Sequence, residues 1–554
     1  MKRSSLASLR AAIILTLVCL PSHSPAQTPS PVNSAGPVSE VWVADNGDGT
    51  YRNPILHADY SDPDAVRVGD DFYMTASSFN AAPGLPVLHS KDLVNWRLVT
   101  HVFARQRPLD VYGRPQHGNG VWAPSIRHHN GEFYIYYPDP DFGIYLTKAK
   151  HPAGPWSEPV LVKEAKGWID PCPLWDEDGS AYLVSAMAAS RSGVKSVLVV
   201  SRMSADGTRL LDDGVIVFDG HDKHPTLEGP KFYKRGDYYY IFAPAGGVEQ
   251  GWQLALRSRN VYGPYEARIV LAQGRTAING PHQGAWVETQ TGESWFVHFQ
   301  DKGAYGRVVH LQPVRWANDW PVMGADADGD GTGEPVLTFR KPNVGRASWP
   351  VITPPDSDEF DAPRLGLQWQ WHANPGTHWA FPAPALGFLR LFNVPLPEGH
   401  KNFWDVPNLL LQKFPAPEFT ATTKVTFTPR TDGEETGLIV MGLDYAYVSV
   451  RKLPEGLFVS QTVVKDAEGG SRGTQSQPRP IGGNTLYLRV KVTDGAACDF
   501  SFSADGKTFT PVGPKFTARK GKWIGAKVGL FAVRTGGTRE TGYADVDWFR
   551  FEKP

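Results

Sequence analysis

The chain has 554 residues and a formal net charge of −1 at pH 7, so its composition does not favour nucleic acid or another polyanion as a partner. Its length is too great for one ordinary hydrophobic core and predicts two domains. Aromatic residues make up 12% of the chain, and 56 Gly and 47 Pro imply many turns. Since no long stretch has sustained helical periodicity, the sequence favours an all-β protein.

The N-terminus has the pattern of a secretory signal. Three basic residues, Lys2, Arg3 and Arg10, precede the apolar run 11–20, which is too short to cross a bilayer. Small residues up to Ala26 suit a cleavage site, so we predict that 1–26 is a signal peptide and 27–37 a flexible lead-in. A membrane anchor is the alternative. The prediction implies a secreted or periplasmic protein with no membrane span in the mature chain.

A turn followed by an aromatic or apolar strand recurs five times between residues 38 and 340. The turns are centred on Gly69, Gly131, Gly179, Gly236 and Gly292. Their spacing leaves room for about four short strands in each unit. Four-stranded units repeated around an axis are the blades of a β-propeller, so the sequence predicts a five-bladed propeller over 38–340. An irregular β-sandwich is the alternative.

Each turn is preceded by a polar residue at a comparable distance. These residues are Asp62, Ser125, Asp170, Glu228 and His282. In a propeller, the starts of the innermost strands converge on the mouth of the central channel. Three of the five residues are carboxylic acids, and mutual repulsion should raise at least one pKa while the other groups stay charged. Glycoside hydrolysis needs this division between a protonated acid and an ionised base or nucleophile.

The residues around these positions resemble glycoside hydrolase family 43. The resemblance rests on motifs spread along the propeller: Asn53-Pro54-Ile55-Leu56, Asp59-Tyr60-Ser61-Asp62-Pro63-Asp64, Trp122-Ala123-Pro124-Ser125-Ile126, Ile169-Asp170-Pro171, Glu228-Gly229-Pro230 and Gly306-Arg307-Val308-Val309-His310-Leu311-Gln312-Pro313. Each motif alone also occurs in plain turns. Taken together they are specific, and they imply an inverting hydrolase that acts on arabinose- or xylose-containing glycans.

The resemblance also implies a role for each matching residue. Asp62 resembles the general base that activates water, and Glu228 resembles the general acid. Asp170 resembles the third carboxylate, which orients the acid and keeps its pKa high. Arg307 resembles the arginine that hydrogen-bonds the sugar, and His282 resembles a channel histidine that in some relatives contacts calcium or its water.

Several assignments stay open at this point. His282 is a metal ligand or simply a hydrogen-bonded histidine of the channel, and Phe79 and Trp122 are either core aromatics or surfaces that stack on a pentose. Some family branches carry Asp where this chain has Ser125, and we interpret Ser125 as non-catalytic. No cofactor is expected to be required, although a structural calcium ion is compatible with the resemblance. The acidic turn 326–331 departs from the EF-hand pattern at its twelfth position, Leu337.

The remainder of the chain predicts a second β domain. The proline-rich segment 341–357 reads as an extended linker, and 358–554 contains alternating strands of the kind that form a β-sandwich. It resembles the concanavalin-like sandwich that follows the propeller in many β-xylosidases of the family, where a loop can close part of the pocket. A separate carbohydrate-binding module is the alternative. Cys172 and Cys498 are more simply two separate thiols than a disulfide.

We therefore predict an exo-acting glycosidase that releases terminal α-L-arabinofuranose, β-D-xylose or both from hemicellulose-derived glycans. The alternatives are an endo-arabinanase, a retaining propeller hydrolase of the fructan type and, in a different class, a non-catalytic sugar-binding propeller. The oligomeric state is left open.

Overall fold

The computed structural model describes residues 37–346, 348–536 and 540–554. The predicted signal peptide and almost all of the lead-in therefore lie outside the described residues. Over those three ranges, no helix combines the length and apolar character needed to cross a membrane.

Five four-stranded antiparallel sheets form the first part of the fold, and each is built from four consecutive strands. A short strand, β1 (Thr50–Arg52), precedes them. The blades are blade I with β2 (Asp64–Val68), β3 (Asp71–Thr75), β4 (Gly84–Ser90) and β5 (Trp96–Phe103); blade II with β6 (Ser125–His129), β7 (Glu132–Asp139), β8 (Gly143–Ala149) and β9 (Val160–Glu164); blade III with β10 (Trp168–Trp175), β11 (Ala181–Met187), β12 (Val197–Met203) and β13 (Val215–Asp219); blade IV with β14 (Lys231–Arg235), β15 (Tyr238–Ala245), β16 (Trp252–Ser258) and β17 (Glu266–Leu271); and blade V with β18 (His282–Glu288), β19 (Ser294–Asp301), β20 (Arg307–Ala317) and β21 (Trp320–Met323). The predicted all-β, five-bladed propeller is confirmed.

The five repeated glycines lie in the turn between the first and second strand of their blades. All five adopt positive φ, between 56° and 84°, which a residue without a Cβ reaches at little cost. Local turn chemistry therefore sets the blade register. Apolar clusters fill the spaces between neighbouring blades; one of them joins blades I and V through Phe72, Leu88 and Val297.

The ring of blades is closed by a clasp of two short strands. β1 pairs antiparallel with β22 (Thr338–Arg340), so the segments before blade I and after blade V are hydrogen-bonded. An isolated bridge between Leu56 and Val309 adds a second connection. The chain then runs without regular strands towards the second half of the protein.

The second half is two packed sheets, antiparallel except for the short parallel pairing of β26 with β38. The nine-stranded sheet contains β23 (Gln370–Trp371), β26 (Val394–Pro395), β27 (Leu410–Lys413), β29 (Glu434–Met441), β30 (Tyr445–Leu453), β31 (Gly456–Val464), β32 (Thr474–Gln475), β33 (Arg479–Ile481) and β38 (Lys527–Arg534). The eight-stranded sheet contains β24 (Ala380–Ala383), β25 (Phe388–Phe392), β28 (Phe419–Thr428), β34 (Thr485–Thr493), β35 (Ala497–Ser503), β36 (Thr510–Pro511), β37 (Phe516–Thr517) and β39 (Tyr543–Glu552). The predicted sandwich is confirmed, and its two inner faces share one apolar core.

Helical structure in the described ranges is limited to short pieces. They are the α-helix α1 (Ala189–Ser192) and three 3-10 turns at Gly303–Tyr305, Phe403–Asp405 and Asp494–Ala496. Cys172 and Cys498 are buried and form no disulfide.

The sandwich packs against the propeller through polar and aromatic contacts. Asn374 exchanges two hydrogen bonds of 2.7 Å with the backbone of Gln106. His117 stacks on Trp404 with ring centroids 3.5 Å apart. These contacts hold the sandwich loops beside the end of the propeller at which the polar repeat residues lie.

Candidate active site

A cavity of about 250 Å³ lies where the innermost strands of the blades begin. Six of the seven predicted site residues line it: Asp62, Phe79, Trp122, Asp170, Glu228 and Arg307. The repeat argument therefore placed the three carboxyl groups correctly, since they come from blades I, III and IV and meet at one cavity.

Asp62 precedes the first strand of blade I and is buried, with 5% of its surface exposed. Its φ of 54° lies in the left-handed region, a strained backbone conformation of a kind that clusters at functional sites. The hydroxyls of Ser61 and Ser77 donate to Oδ2 at 2.8 and 2.6 Å. Arg307 Nη1 donates to Oδ1 at 2.8 Å. These three donors and the guanidinium charge stabilise an ionised carboxylate.

Asp170 lies in a β-bulge of β10, where the pairing register with β11 shifts between Ile169 and Cys172. The bulge, together with a φ of 56°, aims the carboxyl group into the cavity. Gly229 N–H donates to Oδ2 at 2.7 Å. Burial raises the pKa of Asp170 to about 7, and the charge of Asp62 adds to this rise.

Glu228 is the most accessible of the three carboxyl groups, with 27% of its side chain exposed. Its backbone N–H donates to Pro244 O at 3.1 Å, which fixes the segment ahead of β14. Burial raises the pKa of Glu228 to about 8; the charges of Asp170 and Asp62 add to this rise, and Arg307 opposes it. At neutral pH the site thus combines an acid that keeps its proton, Glu228, with a carboxylate paired to a cation, Asp62.

The glycine at position 229 allows the Gln283 side chain to pack closely against the backbone next to Glu228. Its φ is +60°, and a Cβ there would come within 2.8 Å of the Gln283 side chain. Gln283 lines the cavity from a second bulge, at the start of β18, and its φ is 40°. The sequence analysis missed Gln283, although its position directly after His282 was the available signal.

His282 lies behind Glu228 and is fully buried. Its Nε2 is 3.5 Å from Glu228 Oε1, and neither ring nitrogen has a hydrogen-bond partner among the described residues. Burial lowers the pKa of His282 to about 3, so the ring is neutral. Calcium prefers six to eight oxygen ligands. Among the residues that the structure describes, His282 does not belong to a group of three His, Cys, Asp or Glu side chains that could hold a metal ion, and its metal role stays a prediction.

The acidic turn brings three carboxyl groups together away from the cavity. Ligand atoms of Asp326, Asp328 and Asp330 lie within 4.8 Å of one another. Asp326 accepts the N–H of Gly329 at 2.8 Å and lies 3.5 Å from Arg315. Asp328 and Asp330 are exposed and Asp326 is half-buried, and the absence of an EF-hand pattern leaves ion binding at this turn untested.

Aromatic side chains form the walls of the cavity. Phe79 is buried with a φ of 50°, and the indole N–H of Trp122 donates to Gly118 O at 2.8 Å. Trp523 completes the wall from the sandwich; its ring lies 6.4 Å from Trp122 and 5.7 Å from the guanidinium of Arg307. Phe79 and Trp122 thus face the cavity, and Trp523 was missed because its position depends on contacts between the two halves.

The loop that carries Trp523 is anchored to the propeller beside Arg307. Asp59 accepts the N–H of Arg307 at 3.0 Å on Oδ1 and the N–H of Gly525 at 2.9 Å on Oδ2. A Cβ on Gly306 would lie 2.6 Å from the nitrogen of Gly525, so only glycine allows the two backbones to approach this closely. One carboxylate therefore positions both Arg307 and the Trp523 loop.

A second layer of charged and polar groups lies beneath the carboxyl groups. We define this second layer as Asp64, Arg127, Cys172 and Lys231. In blades I to IV these residues come two or three positions after Asp62, Ser125, Asp170 and Glu228. Arg127 donates to Asp64 at 2.6 Å and to Cys172 Sγ at 2.8 Å. Lys231 is fully buried, and its ammonium donates to Ser125 Oγ at 2.7 Å.

This layer explains why Ser125 takes no part in the cavity. Its hydroxyl is occupied by Lys231, which also lies 4.0 Å from Asp64. The ammonium lowers the pKa of Asp170, against the larger effect of burial. The second layer therefore sets part of the electrostatic environment of the site without lining it.

Comparison with protein-family models identifies the family to which this chain belongs. Residues 51–321 match the model described as glycosyl hydrolases family 43, and residues 357–552 match the beta-xylosidase C-terminal concanavalin A-like domain. The chain belongs to glycosyl hydrolase family 43. As a family 43 hydrolase it is an enzyme, and the resemblance inferred from its motifs is confirmed.

Relatives of known name span nearly the whole of this family 43 chain. A beta-xylosidase of Formosa agariphila is 33% identical and aligns with 98% of both chains. A non-reducing end alpha-L-arabinofuranosidase of Bacteroides ovatus is 30% identical, covering 91% of this chain and 94% of its own. The crystal structure of a xylan beta-1,4-xylosidase from Bacillus halodurans superposes with a TM-score of 0.80 at 27% identity, over 91% of this chain and 100% of its own.

Proposed function

We propose that the protein is an inverting exo-glycosidase that releases terminal α-L-arabinofuranose, β-D-xylose or both from hemicellulose-derived oligosaccharides or polysaccharides. The observation that carries the proposal is that Asp62, Asp170 and Glu228 line one cavity, with Asp62 paired to Arg307 at 2.8 Å and the pKa of Glu228 raised by burial. The names of the relatives, xylosidases and an arabinofuranosidase, support this pair of sugars.

In the proposed mechanism Glu228 donates its proton to the glycosidic oxygen as the bond to the anomeric carbon breaks. Asp62 accepts a proton from a water molecule that attacks the same carbon from the opposite face, which inverts its configuration. Burial raises the pKa of Glu228, and the negative charge of the nearby Asp170 adds to this rise. Arg307 holds Asp62 in place and faces the sugar. No cofactor is required for these steps.

The shape of the cavity supports exo action. Trp523 of the sandwich contacts Trp122 of the propeller edge-on, and the two rings together form one wall of the cavity. A wall of this kind obstructs a polymer that continues in both directions and favours a terminal sugar. An endo-acting enzyme needs an open groove, so products from a long arabinan or xylan chain separate the two modes: monosaccharide alone supports exo action, whereas mixed oligosaccharides contradict it.

Two assays test the proposal directly. Hydrolysis of aryl α-L-arabinofuranosides and aryl β-D-xylosides identifies the sugar, and proton NMR of the first-formed product identifies its anomer. We expect the inverted anomer in the wild type. A retained anomer would assign Asp62 as a nucleophile and favour the retaining type of propeller hydrolase.

We also propose that the enzyme acts outside the cytoplasm, in the periplasm or the medium. The support is the basic and apolar pattern of residues 1–26. Mass spectrometry of the protein recovered from cell fractions should find a new N-terminus after Ala26. An intact N-terminus on the active enzyme would contradict this.

A further inference from the structure

Two lysines face each other where the sandwich meets the propeller. Lys413 on β27 and Lys527 on β38 are direct partners in an antiparallel pairing, so both side chains leave the same face of the sheet. The ammonium of Lys413 lies 5.1 Å from the ring of Tyr60, which belongs to the propeller segment ahead of Asp62. Like charges placed directly opposite on neighbouring strands repel.

Neither lysine is neutralised by the protein. Lys527 is only 7% exposed, and among the described residues neither ammonium takes part in a hydrogen bond or ion pair. Asp59 is the carboxylate whose charge acts on both lysines. Its two oxygens already accept the N–H groups of Arg307 and Gly525. Lys527 is buried and Lys413 is half-buried, so two facing positive charges are partly removed from water, and an anion beside them would offset part of that cost.

A small cavity adjoins Lys413. It has a volume of about 70 Å³ between the propeller, the linker and the sandwich, and Lys413, Tyr60 and His101 are among its lining residues. Nδ1 of His101 is buried without a hydrogen-bond partner. The only aspartate or glutamate among the lining residues, Asp356, already accepts the Ser39 hydroxyl at 2.6 Å. The volume is enough for two water molecules or one halide ion.

We propose that this cavity is a binding site for a small inorganic anion of the size of chloride, held against Lys413, with the neutral ring of His101 offering an N–H donor and the neighbouring Lys527 adding positive charge from outside the lining. The anion would be the counter-ion that the lysine pair lacks. Because the lysines belong to the sandwich and Tyr60 and His101 to the propeller, a bound anion would join the two halves of the protein.

The competing explanation is a neutral lysine. Burial lowers the pKa of both lysines, that of Lys527 to about 7. In that case the cavity holds only water, and the protein has no use for an anion. The two explanations differ in what occupies the cavity and in how stability responds to halide.

Crystals of the full chain soaked in sodium bromide and measured at the bromine absorption edge test the site. We expect an anomalous peak within about 4 Å of Lys413 Nζ, the distance over which oppositely charged groups form an ion pair. Water density without an anomalous peak would overturn the proposal.

Thermal unfolding provides the second measurement. Sodium chloride or bromide, titrated at constant ionic strength against a salt of an anion too large for the cavity, should raise the Tm of the wild type in a saturable manner. The variant Lys413→Met should lose this dependence, whereas Lys491→Met, an exposed lysine on β34, should keep it. An anomalous peak accompanied by no effect on Tm would show binding at crystal concentration only and would also overturn the proposal. The wild-type titration keeps the test decisive if Lys413→Met does not fold.

Discussion

Replacing Trp523 with alanine isolates what the sandwich contributes to the active site. Trp523 is 48% exposed beside the cavity. A Trp side chain has about 200 Å² of surface, so about 100 Å² is available to a bound sugar. At about 25 cal/mol per Å², covering all of it would stabilise the complex by about 2.5 kcal/mol. A sugar that stacks on one ring face covers about half of this area, or about 1.2 kcal/mol.

We therefore expect Trp523→Ala to lower kcat/KM by about tenfold, with an upper limit of about 70-fold. The assay is initial-rate kinetics on an aryl glycoside and on the corresponding disaccharide. Phe381→Ala is the matched control, because Phe381 is 49% exposed on the sandwich but does not line the cavity. The reasoning fails if Trp523→Ala keeps kcat/KM within twofold of the wild type, or if Phe381→Ala loses as much activity.

Three further predictions concern the charged groups. Glu228→Gln should lower kcat by about 10²–10⁴ on substrates with poor leaving groups and by less on activated aryl glycosides, and equal losses on both would argue against the acid role. The variant should also lose the fall in kcat that the wild type shows as the pH rises through the Glu228 pKa of about 8. Arg307→Met leaves Asp62 buried without its cation, so urea unfolding should show a loss of about 3–5 kcal/mol, whereas Arg340→Met, which breaks an exposed pair with Glu293, should cost less than about 1 kcal/mol; similar losses in both would contradict the buried-pair argument. Lys231→Met removes an ammonium that lowers the pKa of Asp170, so NMR titration of the carboxyl carbons should find Asp170 protonated to higher pH than in the wild type, and an unchanged titration would show that the second layer does not act on it.

The raised pKa that suits Glu228 to act as an acid also lowers the stability of the fold at neutral pH. In the unfolded chain a glutamate loses its proton near its ordinary pKa of 4.5, whereas burial raises the pKa of Glu228 in the folded site to about 8. Between these values the folded state binds more protons, so the contribution of Glu228 to stability falls as pH rises. The feature that makes the residue an acid thus destabilises the fold at neutral pH.

The sequence was sufficient for the fold and for the three carboxyl groups because both depend on local signals that recur. The turn at Gly69, for example, needs only a residue that tolerates positive φ between two short strands, and its four counterparts obey the same rule. Once the repeat is recognised, Asp62, Asp170 and Glu228 converge by symmetry. No long-range contact has to be known in advance.

The remaining site residues follow from contacts that no local pattern reveals. Gln283 enters the cavity through a bulge, and Trp523 enters it because Asp59 binds Gly525 from the far end of the chain. His282 occupies the repeat position equivalent to those of the carboxyl groups, but it lies behind Glu228 and does not line the cavity. Its burial depends on packing around blade V, for which the spacing of the repeats gives no information.

The clasp between β1 and β22 gives the propeller a seam. Each blade consists of consecutive strands, so the join between blades I and V is the place where the ring can open locally. Asp62 belongs to blade I and Arg307 to blade V, and their 2.8 Å contact crosses this seam. Opening the seam would separate the pair, so activity would be lost before the blades unfold. A sugar bound to both sides would hold the seam shut, and the substrate would then act as a closing element of the ring.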